Sequence, residues 1–240
     1  MEKNNIGLAG FIIAVAIIIS TVIISRTAIN IKSNDNVEVT GSAKKEIVSD
    51  IGKLRGEFHV KVEESDLSAG YETMKENENI VKNFFIEKGI SLDYIKINPV
   101  YMNEVYDYNK SSSSPSYYTL SQSVEVTSYD VNKIEEISKQ ISEIIDEGVL
   151  YSSYSPEYYY SGLSDDRINL LSDAVADARS RVEKIAESTN KKVGSVKEVK
   201  MGVVQLMPIN SIDVSDYGTY DTSSIIKEVN ITVRTVFELK

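Results

Sequence analysis

Residues 164–186 read SDDRINLLSDAVADARSRVEKIA, and their pattern decides the fold class. Apolar residues recur three or four positions apart, as on one face of a helix, and most other positions are polar or charged. These apolar residues are Leu170, Leu171, Ala174, Val175, Ala178, Val182, Ile185 and Ala186. Ser164 is predicted to be the N-cap, with Asp165 and Asp166 in the first turn, where the helix dipole favours carboxylates. A helix with a single apolar face must pack on a sheet or another helix.

Two further segments have the same helical period. Residues 66–88 and 130–147 each carry one apolar face and stop at a glycine, Gly89 or Gly148, while Asn190 is predicted to end the third helix. The segments between and around the helices are rich in β-branched and aromatic residues. Extended structure is predicted over 37–43 (breaking at Gly41), 51–62, 90–108, 117–128, 149–161, 193–207 and 227–239. The sequence therefore predicts an α+β fold, a mainly antiparallel sheet with three long helices packed on it.

The N-terminal segment has a different character. Residues 6–24 read IGLAGFIIAVAIIISTVII, inside an uncharged window bounded by Lys3 and Arg26. At about 1.5 Å per residue the segment spans roughly 28 Å, close to a hydrocarbon core of about 30 Å. A cleaved signal peptide is the alternative, but its apolar region is usually shorter, and Arg26 stands where a cleavage site needs a small residue. The segment predicts one transmembrane helix ahead of the α+β domain.

This interpretation predicts a single-pass protein of the cell membrane with its main domain extracytoplasmic. The predicted parts are a short cytoplasmic tail (1–5), a transmembrane signal anchor (6–25), a linker (26–36) and one α+β domain (37–240). Residues 109–116 are predicted to be a flexible hairpin loop, with serines 111–114 part of it.

Composition excludes several classes of function. The net charge of −10 makes nucleic acid a poor partner. With no cysteine, the chain has no disulfides, thiolate metal sites or cysteine nucleophile. The sequence has no phosphate-binding glycine loop, no G-x-S-x-G motif and no histidine-based triad, since His59 is alone. We therefore predict no enzymatic activity, no cofactor and no metal.

A single histidine and a pair of aspartates are the candidates for a metal site. His59 lacks a second histidine or a cysteine to share a metal, which favours a structural or exposed role. Asp173 and Asp177 share a helix face, but the nearby Arg179 and Arg181 favour a solvated, charge-paired surface. An unrecognised hydrolase remains the alternative, and it would need converging carboxylates around Asp50, Glu57 or Asp130.

Tyrosines cluster in two extended regions and are the least ordinary feature of the chain. Tyrosine combines apolar area with a hydroxyl and is enriched at interfaces. The alternative is that tyrosine is simply a favourable strand residue. The predicted interaction surface, for a sister subunit, an envelope protein or a glycan, comprises Tyr94, Tyr101, Tyr106, Tyr108, Tyr117, Tyr118, Tyr151, Tyr154, Tyr158, Tyr159 and Tyr160.

Several motifs in order resemble the SIMPL domain family, in its bacterial extracytoplasmic form. Residues 37–43, VEVTGSA, are similar to the opening V-x-G-x-G strand. Residues 88–101 resemble the family's G-I-x-x-x-x-I and P-x-Y segment, and residues 118–130 its Y-x-x-x-x-x-V-x-V-x-x-x-D run. Residues 174–194 carry A-x-x-D-A-R, a later alanine and V-G. The chain departs from the family pattern at Ala43 in place of the second glycine, Ser49 in place of proline and Asn190 in place of glycine.

The resemblance covers about residues 37–240 and implies an α+β domain, export to the cell envelope and self-association into a homo-oligomer, with a link to stress protection. It implies no established activity. The prediction is thus a membrane-anchored, non-enzymatic domain that acts by self-assembly or by binding envelope partners. A ligand-binding sensor or an unrecognised hydrolase is the alternative.

Overall fold

The computed structural model describes residues 11, 13–26, 36–106, 117–212 and 215–240. The helices are α1 (13–26), α2 (Leu67–Glu87), α3 (Val131–Lys139), α4 (Ser142–Asp146) and α5 (Leu163–Ser188), with short 3-10 turns at Glu64–Asp66 and Leu92–Tyr94. The strands are β1 (Asn36–Val48), β2 (Ile51–Val62), β3 (Ile95–Ile97), β4 (Tyr101–Val105), β5 (Tyr117–Ser128), β6 (Tyr151–Ser153), β7 (Glu157–Tyr159), β8 (Val193–Met201), β9 (Gln205–Pro208), β10 (Thr219–Tyr220) and β11 (Ile226–Leu239). These elements confirm an α+β fold with antiparallel sheets.

The predicted transmembrane helix is not confirmed. The helix α1 covers residues 13–26 of that region, and residues 6–10 and 12 lie outside the described residues. Within the part of the chain that the structure describes, every helix is too short or too polar to cross a membrane. Most of the predicted linker (27–35) and the predicted hairpin loop (109–116) also lie outside the described residues.

The chain divides into two compact units. The first contains residues 1–43, 170–202 and 231–240, and the second contains residues 44–169 and 203–230.

The second unit is built on a six-stranded antiparallel sheet in the order β3-β5-β2-β6, with β4 also on β5 and β7 also on β2. The register of β2 and β5 runs from Gly52 opposite Ser128 to Val62 opposite Tyr118. Because strand side chains alternate between faces, the even-numbered residues of both strands point to the helices. The core comprises Leu54, Phe58, Leu120, Val124 and Val126 from these strands with Met74, Val81, Phe85, Ile134 and Ile144 from α2, α3 and α4.

The second unit also holds the small ladder around β9. There β9 pairs antiparallel with residues 227–230 of β11, and β10 pairs parallel with β9. The strand β10 lies in the segment between the predicted strands 193–207 and 227–239, where no strand was predicted. This parallel pair is a minor departure from the antiparallel pattern.

The first unit packs the second half of α5 against strands. Its core comprises Val39, Ala174, Ala178, Val182, Val233 and Phe237. In this unit β8 pairs antiparallel with residues 233–239 of β11. All six lie in segments that the sequence predicted as the apolar face of a helix or as a strand, since both predictions depend on local spacing.

The first strand was predicted to break at Gly41, but β1 continues through this residue to Val48. A Cβ at Gly41 would overlap the carbonyl oxygen of Ala174 and lie 2.5 Å from the backbone nitrogen of Ala178. The glycine therefore allows the backbones of β1 and α5 to approach closely, a role that is separate from turn formation.

Three predicted boundaries also differ from the structure. The helix predicted over 130–147 is split, because backbone bonds tighten at Gln140, whose N–H donates to Ile137 O at 2.9 Å. Pro99, which has no N–H, separates β3 from β4 in the predicted extended run 90–108. Ser164 lies inside α5 rather than at its cap, since the helix begins at Leu163. The predicted stops are confirmed by positive φ at Gly89, Gly148 and Asn190.

Candidate functional site

The described helices of the second unit pack on one face of the six-stranded sheet, and we call the opposite face the outer face. The described helices of that unit contact the even-numbered residues of β2 and β5, and the odd-numbered residues point the other way. The outer face comprises Ile51, Lys53, Arg55, Glu57, His59 and Lys61 of β2, Tyr117, Thr119, Ser121, Ser123, Glu125 and Thr127 of β5, Tyr101, Asn103 and Val105 of β4, and Glu157 and Tyr159 of β7. All of these side chains are half-buried or exposed, and most are polar, charged or aromatic.

A charge network occupies the end of the outer face nearest to β7. The Arg55 guanidinium lies between two carboxylates, with Nε 2.8 Å from Glu125 Oε2 and Nη1 3.4 Å from Glu157 Oε1. Lys53 Nζ lies 3.3 Å from Glu125 Oε1, and the Tyr159 hydroxyl donates to Glu157 Oε2 at 2.7 Å. The hydrogen bond from Arg55 lowers the pKa of Glu125 and raises that of the guanidinium. The network therefore stays ionised and fixes the orientation of its side chains.

Aromatic side chains mark the opposite end of the outer face. Lys61 Nζ lies 3.9 Å from the centre of the Tyr117 ring, a cation–π contact. Tyr101 stands opposite Ser121 across the β4–β5 ladder, with 69% of its surface exposed. Exposed aromatic rings are enriched at surfaces that bind a partner, whereas lysine is depleted there.

The predicted tyrosine surface is divided by the fold. Tyr118, Tyr151 and Tyr158 are buried in the core, Tyr108 lies outside the described residues, and the remaining seven are exposed or half-buried. The outer face brings Tyr101 and Tyr117 to one end and Tyr154 and Tyr159 to the other. Tyr94 packs edge-on against Tyr129 at 5.6 Å, Tyr106 donates to Glu104 at 2.7 Å and Tyr160 donates to Asp166 at 2.8 Å. That these tyrosines bind a partner stays a prediction, and the outer face is where it can be tested.

Asp166 forms a polar cluster that the sequence did not reveal. Its buried carboxylate accepts from Lys45 Nζ at 2.6 Å and from the Tyr160 hydroxyl at 2.8 Å. The hydrogen bond from Lys45 lowers the pKa of Asp166, with a further contribution from Tyr160. Lys45 is far away in the sequence, so a local pattern could show only a first-turn aspartate. The arrangement holds a carboxylate ionised and suits a structural link.

Asp166→Asn should weaken the acid sensitivity of folding. A carboxyl group with a depressed pKa in the folded state adds stability above its unfolded pKa of about 3.9, and that stability is lost as the pH falls through the folded pKa. Near neutral pH the variant should be less stable by about 1–3 kcal/mol, because Lys45 and Tyr160 lose a charged acceptor. Urea unfolding between about pH 5 and pH 2 should then show a shallower pH dependence for the variant. Asp165→Asn, at an exposed neighbour, is the control, and equal slopes in all three proteins would contradict the assignment.

Lys227 is fully buried, although the sequence placed it simply at the start of a strand. Its Nζ donates to the carbonyl oxygens of Tyr158 and Asp221, each at 2.5 Å. Burial lowers the pKa of Lys227, while the nearby Asp221 opposes that shift. Burial alone would raise the pKa of Asp221, but hydrogen bonds from Ser223 and Ser224 hold it below the ordinary value. The ammonium group thus joins β7 and the chain after β10 to β11.

Two of the three other acidic candidates accept hydrogen bonds from backbone N–H groups. Asp50 accepts from the N–H of Ser161 at 2.8 Å and from its hydroxyl, and Asp130 caps α3 through the N–H of Asn132 at 3.1 Å. Glu57 lies on the outer face, opposite Ser123. His59 is half-buried on the same face, opposite Ser121. Among the described residues, no group of three or more histidine, cysteine or acidic side chains is placed to hold a metal.

Asp177 combines the predicted surface pair with a second contact. It accepts from Arg181 Nε at 2.9 Å, as the charge-paired helix face predicts, and also from the Ser42 N–H of β1 at 2.8 Å. Gly41, next to Ser42, is the residue that lies on Ala174 and Ala178. Residues 39–41, which carry the V-x-G motif, therefore contact residues 174–178, which carry the A-x-x-D-A motif, within the first unit.

Comparison with known proteins agrees with these motifs. No curated protein matches the chain significantly. The profile of the SIMPL family, described as a protein of unknown function (DUF541), matches residues 37–237. This range contains the whole of the second unit, residues 37–43, 170–202 and 231–237 of the first unit, and both motif segments that meet at Gly41. The chain therefore belongs to the SIMPL family.

Proposed function

We propose that this SIMPL domain is anchored in the membrane and lies on its extracytoplasmic side. It has no enzymatic activity and acts by binding a second copy of itself through the outer face. The uncovered outer face is the observation that carries this proposal. This face carries side chains of both signs: Lys53, Arg55 and Lys61 are positive, and Glu57 and Glu125 are negative. A symmetric contact needs such a self-complementary surface, because each residue meets the partner's copy of the same patch.

The tether is supported by the sequence of the N-terminal segment. The window between Lys3 and Arg26 carries no charge, and 13–26 is helical. A tether on each subunit would place all copies on the same side of one membrane, which raises their effective concentration. Protection of the envelope under stress is the role that the family resemblance suggests for such an assembly.

A binding role is also favoured by the use of the carboxylates. A hydrolase built on Asp50 or Asp130 would need a free carboxylate. Both are instead hydrogen-bonded to backbone N–H groups.

The experiment is a measurement of mass by light scattering on the full chain, which should need detergent for extraction from membranes. The purified protein should be an oligomer. A double variant Lys61→Glu, Tyr101→Ser should shift it toward the monomer, since it reverses one charge and removes one exposed ring from the outer face. Lys139→Glu, at an exposed position of α3, is the matched charge-reversal control and should leave the mass unchanged. A monomeric wild-type chain at high concentration, or a double variant with unchanged mass, would refute the proposal.

A further inference from the structure

The edge of the six-stranded sheet is interrupted beside Arg55, and the interruption leaves a cavity. β6 pairs with residues 56–58 of β2 and β7 pairs with residues 51–53, so residues 154–156 leave the ladder. Pro156 has no N–H to offer β2, while the Tyr154 N–H still donates to Arg55 O at 2.9 Å. The cavity is lined by Arg55, Tyr154, Ser155 and Glu157 and has a volume of about 320 Å³.

The polar wall of this cavity is already fixed in position. Glu125 and Glu157 hold the Arg55 guanidinium from two sides, at 2.8 and 3.4 Å, and Tyr159 holds Glu157 at 2.7 Å. A guanidinium has five N–H donors, so these two contacts leave donors for a ligand. Side chains that are held before binding lose little conformational freedom when a ligand arrives.

The charges of the wall select against charged ligands. Lys53 and Arg55 are balanced by Glu125 and Glu157, and each charge is paired within the wall. A ligand carboxylate would have to displace a glutamate from Arg55, and a ligand ammonium would have to displace Arg55 from a glutamate. A hydroxyl group needs neither displacement, because it can accept from the guanidinium and donate to a carboxylate in the same place.

The remaining wall is aromatic. Tyr154 has 62% of its surface exposed and lines the cavity together with Arg55 and Ser155. An aromatic ring next to fixed donors and acceptors suits a ligand with an apolar C–H face and a rim of hydroxyls. The volume of about 320 Å³ lies at the small end of ligand pockets, which start near ~300 Å³.

We infer that the cavity at Arg55 and Tyr154 binds one neutral saccharide ring, which stacks on Tyr154 and is hydrogen-bonded by Arg55 and Glu157. The site lies at the β7 end of the outer face, whereas Lys61 and Tyr101, which test self-association, lie at the other end. The two proposals are therefore tested by separate residues.

Saturation-transfer NMR on the full chain, in a detergent without a sugar headgroup, tests the inference. The probes are glucose, galactose and N-acetylglucosamine, with glucuronate as the charged comparison. At least one neutral probe should receive saturation on its ring protons, and glucuronate should bind no more tightly than glucose. Tyr154→Ala should raise the dissociation constant about five- to tenfold, because the stacked ring is lost.

Two further variants make the result decisive. Arg55→Lys keeps the charge but loses the planar fork, so it should also weaken binding while preserving the fold. Tyr71→Ala removes an exposed ring from α2, on the opposite side of the sheet, and should bind the probe like the wild type. The inference is overturned by no transfer to any neutral probe, by transfer to glucuronate alone, or by undiminished binding in both Tyr154→Ala and Arg55→Lys.

Discussion

Gly41→Ala is expected to lower the free energy of unfolding of the first unit by about 3 kcal/mol or more. The added Cβ would overlap the carbonyl oxygen of Ala174 and lie 2.5 Å from the nitrogen of Ala178. Both are backbone atoms of α5, so relief requires β1 and α5 to separate. That movement would also lengthen the hydrogen bond from the Ser42 N–H to Asp177, now 2.8 Å.

The measurement is urea unfolding of the wild type and of Gly41→Ala, with Thr40→Ala as the control. Thr40 is the exposed neighbour on the same strand, so its truncation tests the strand without adding any atom toward α5. Thr40→Ala should change the free energy of unfolding by well under about 1 kcal/mol. A Gly41→Ala protein as stable as the control would show that β1 and α5 are not in close contact.

Gly41 also shows where the sequence was informative and where it was not. The helical period of α5 and the strand alternation predicted the buried faces, because both depend only on local spacing. The same local reasoning predicted a break in the strand at Gly41, because glycine is common in turns. The helix α5, which Gly41 contacts, lies far along the chain and could not enter that reasoning. Contacts between distant segments leave no mark on local periodicity.

The candidate site follows the same division. The charges and tyrosines of the outer face could be predicted as strand residues, and their alternation indicated a polar side of the sheet. The pairing of Arg55 with Glu157, and of Lys45 with Asp166, depends on how strands and loops meet in three dimensions. The interruption at residues 154–156, which opens the cavity, has a local signal in Pro156, but the run 149–161 was predicted as one extended segment.

Lys227→Ala is the second substitution with a large expected effect, about 3–5 kcal/mol of lost stability. The lysine is fully buried, and its Nζ serves the carbonyl oxygens of Tyr158 and Asp221. The alanine variant leaves a cavity and two carbonyls without their donor. Lys227→Met fills most of the space but still supplies no donor, so its loss of stability should be smaller. The difference between the two variants measures the lost burial of side-chain atoms together with the cavity.

Lys44→Met is the matched control, because Lys44 is on β1 with 69% of its side chain exposed and pairs with Glu228 at 2.9 Å. It should lose less than about 1 kcal/mol, as exposed ion pairs do.

The pH dependence separates a buried lysine from a merely well-packed one. Burial lowers the folded-state pKa of Lys227, so between that pKa and the unfolded value of about 10.4 the unfolded chain binds more protons. The wild type therefore gains stability as the pH rises through this window, whereas Lys227→Met has no such group. The stability difference between them should grow toward alkaline pH, and the tyrosines common to both proteins cancel in that difference. A difference that stays constant or shrinks would mean that Lys227 is solvated in the folded chain, and the link between β7 and β11 would then have to rest on backbone contacts alone.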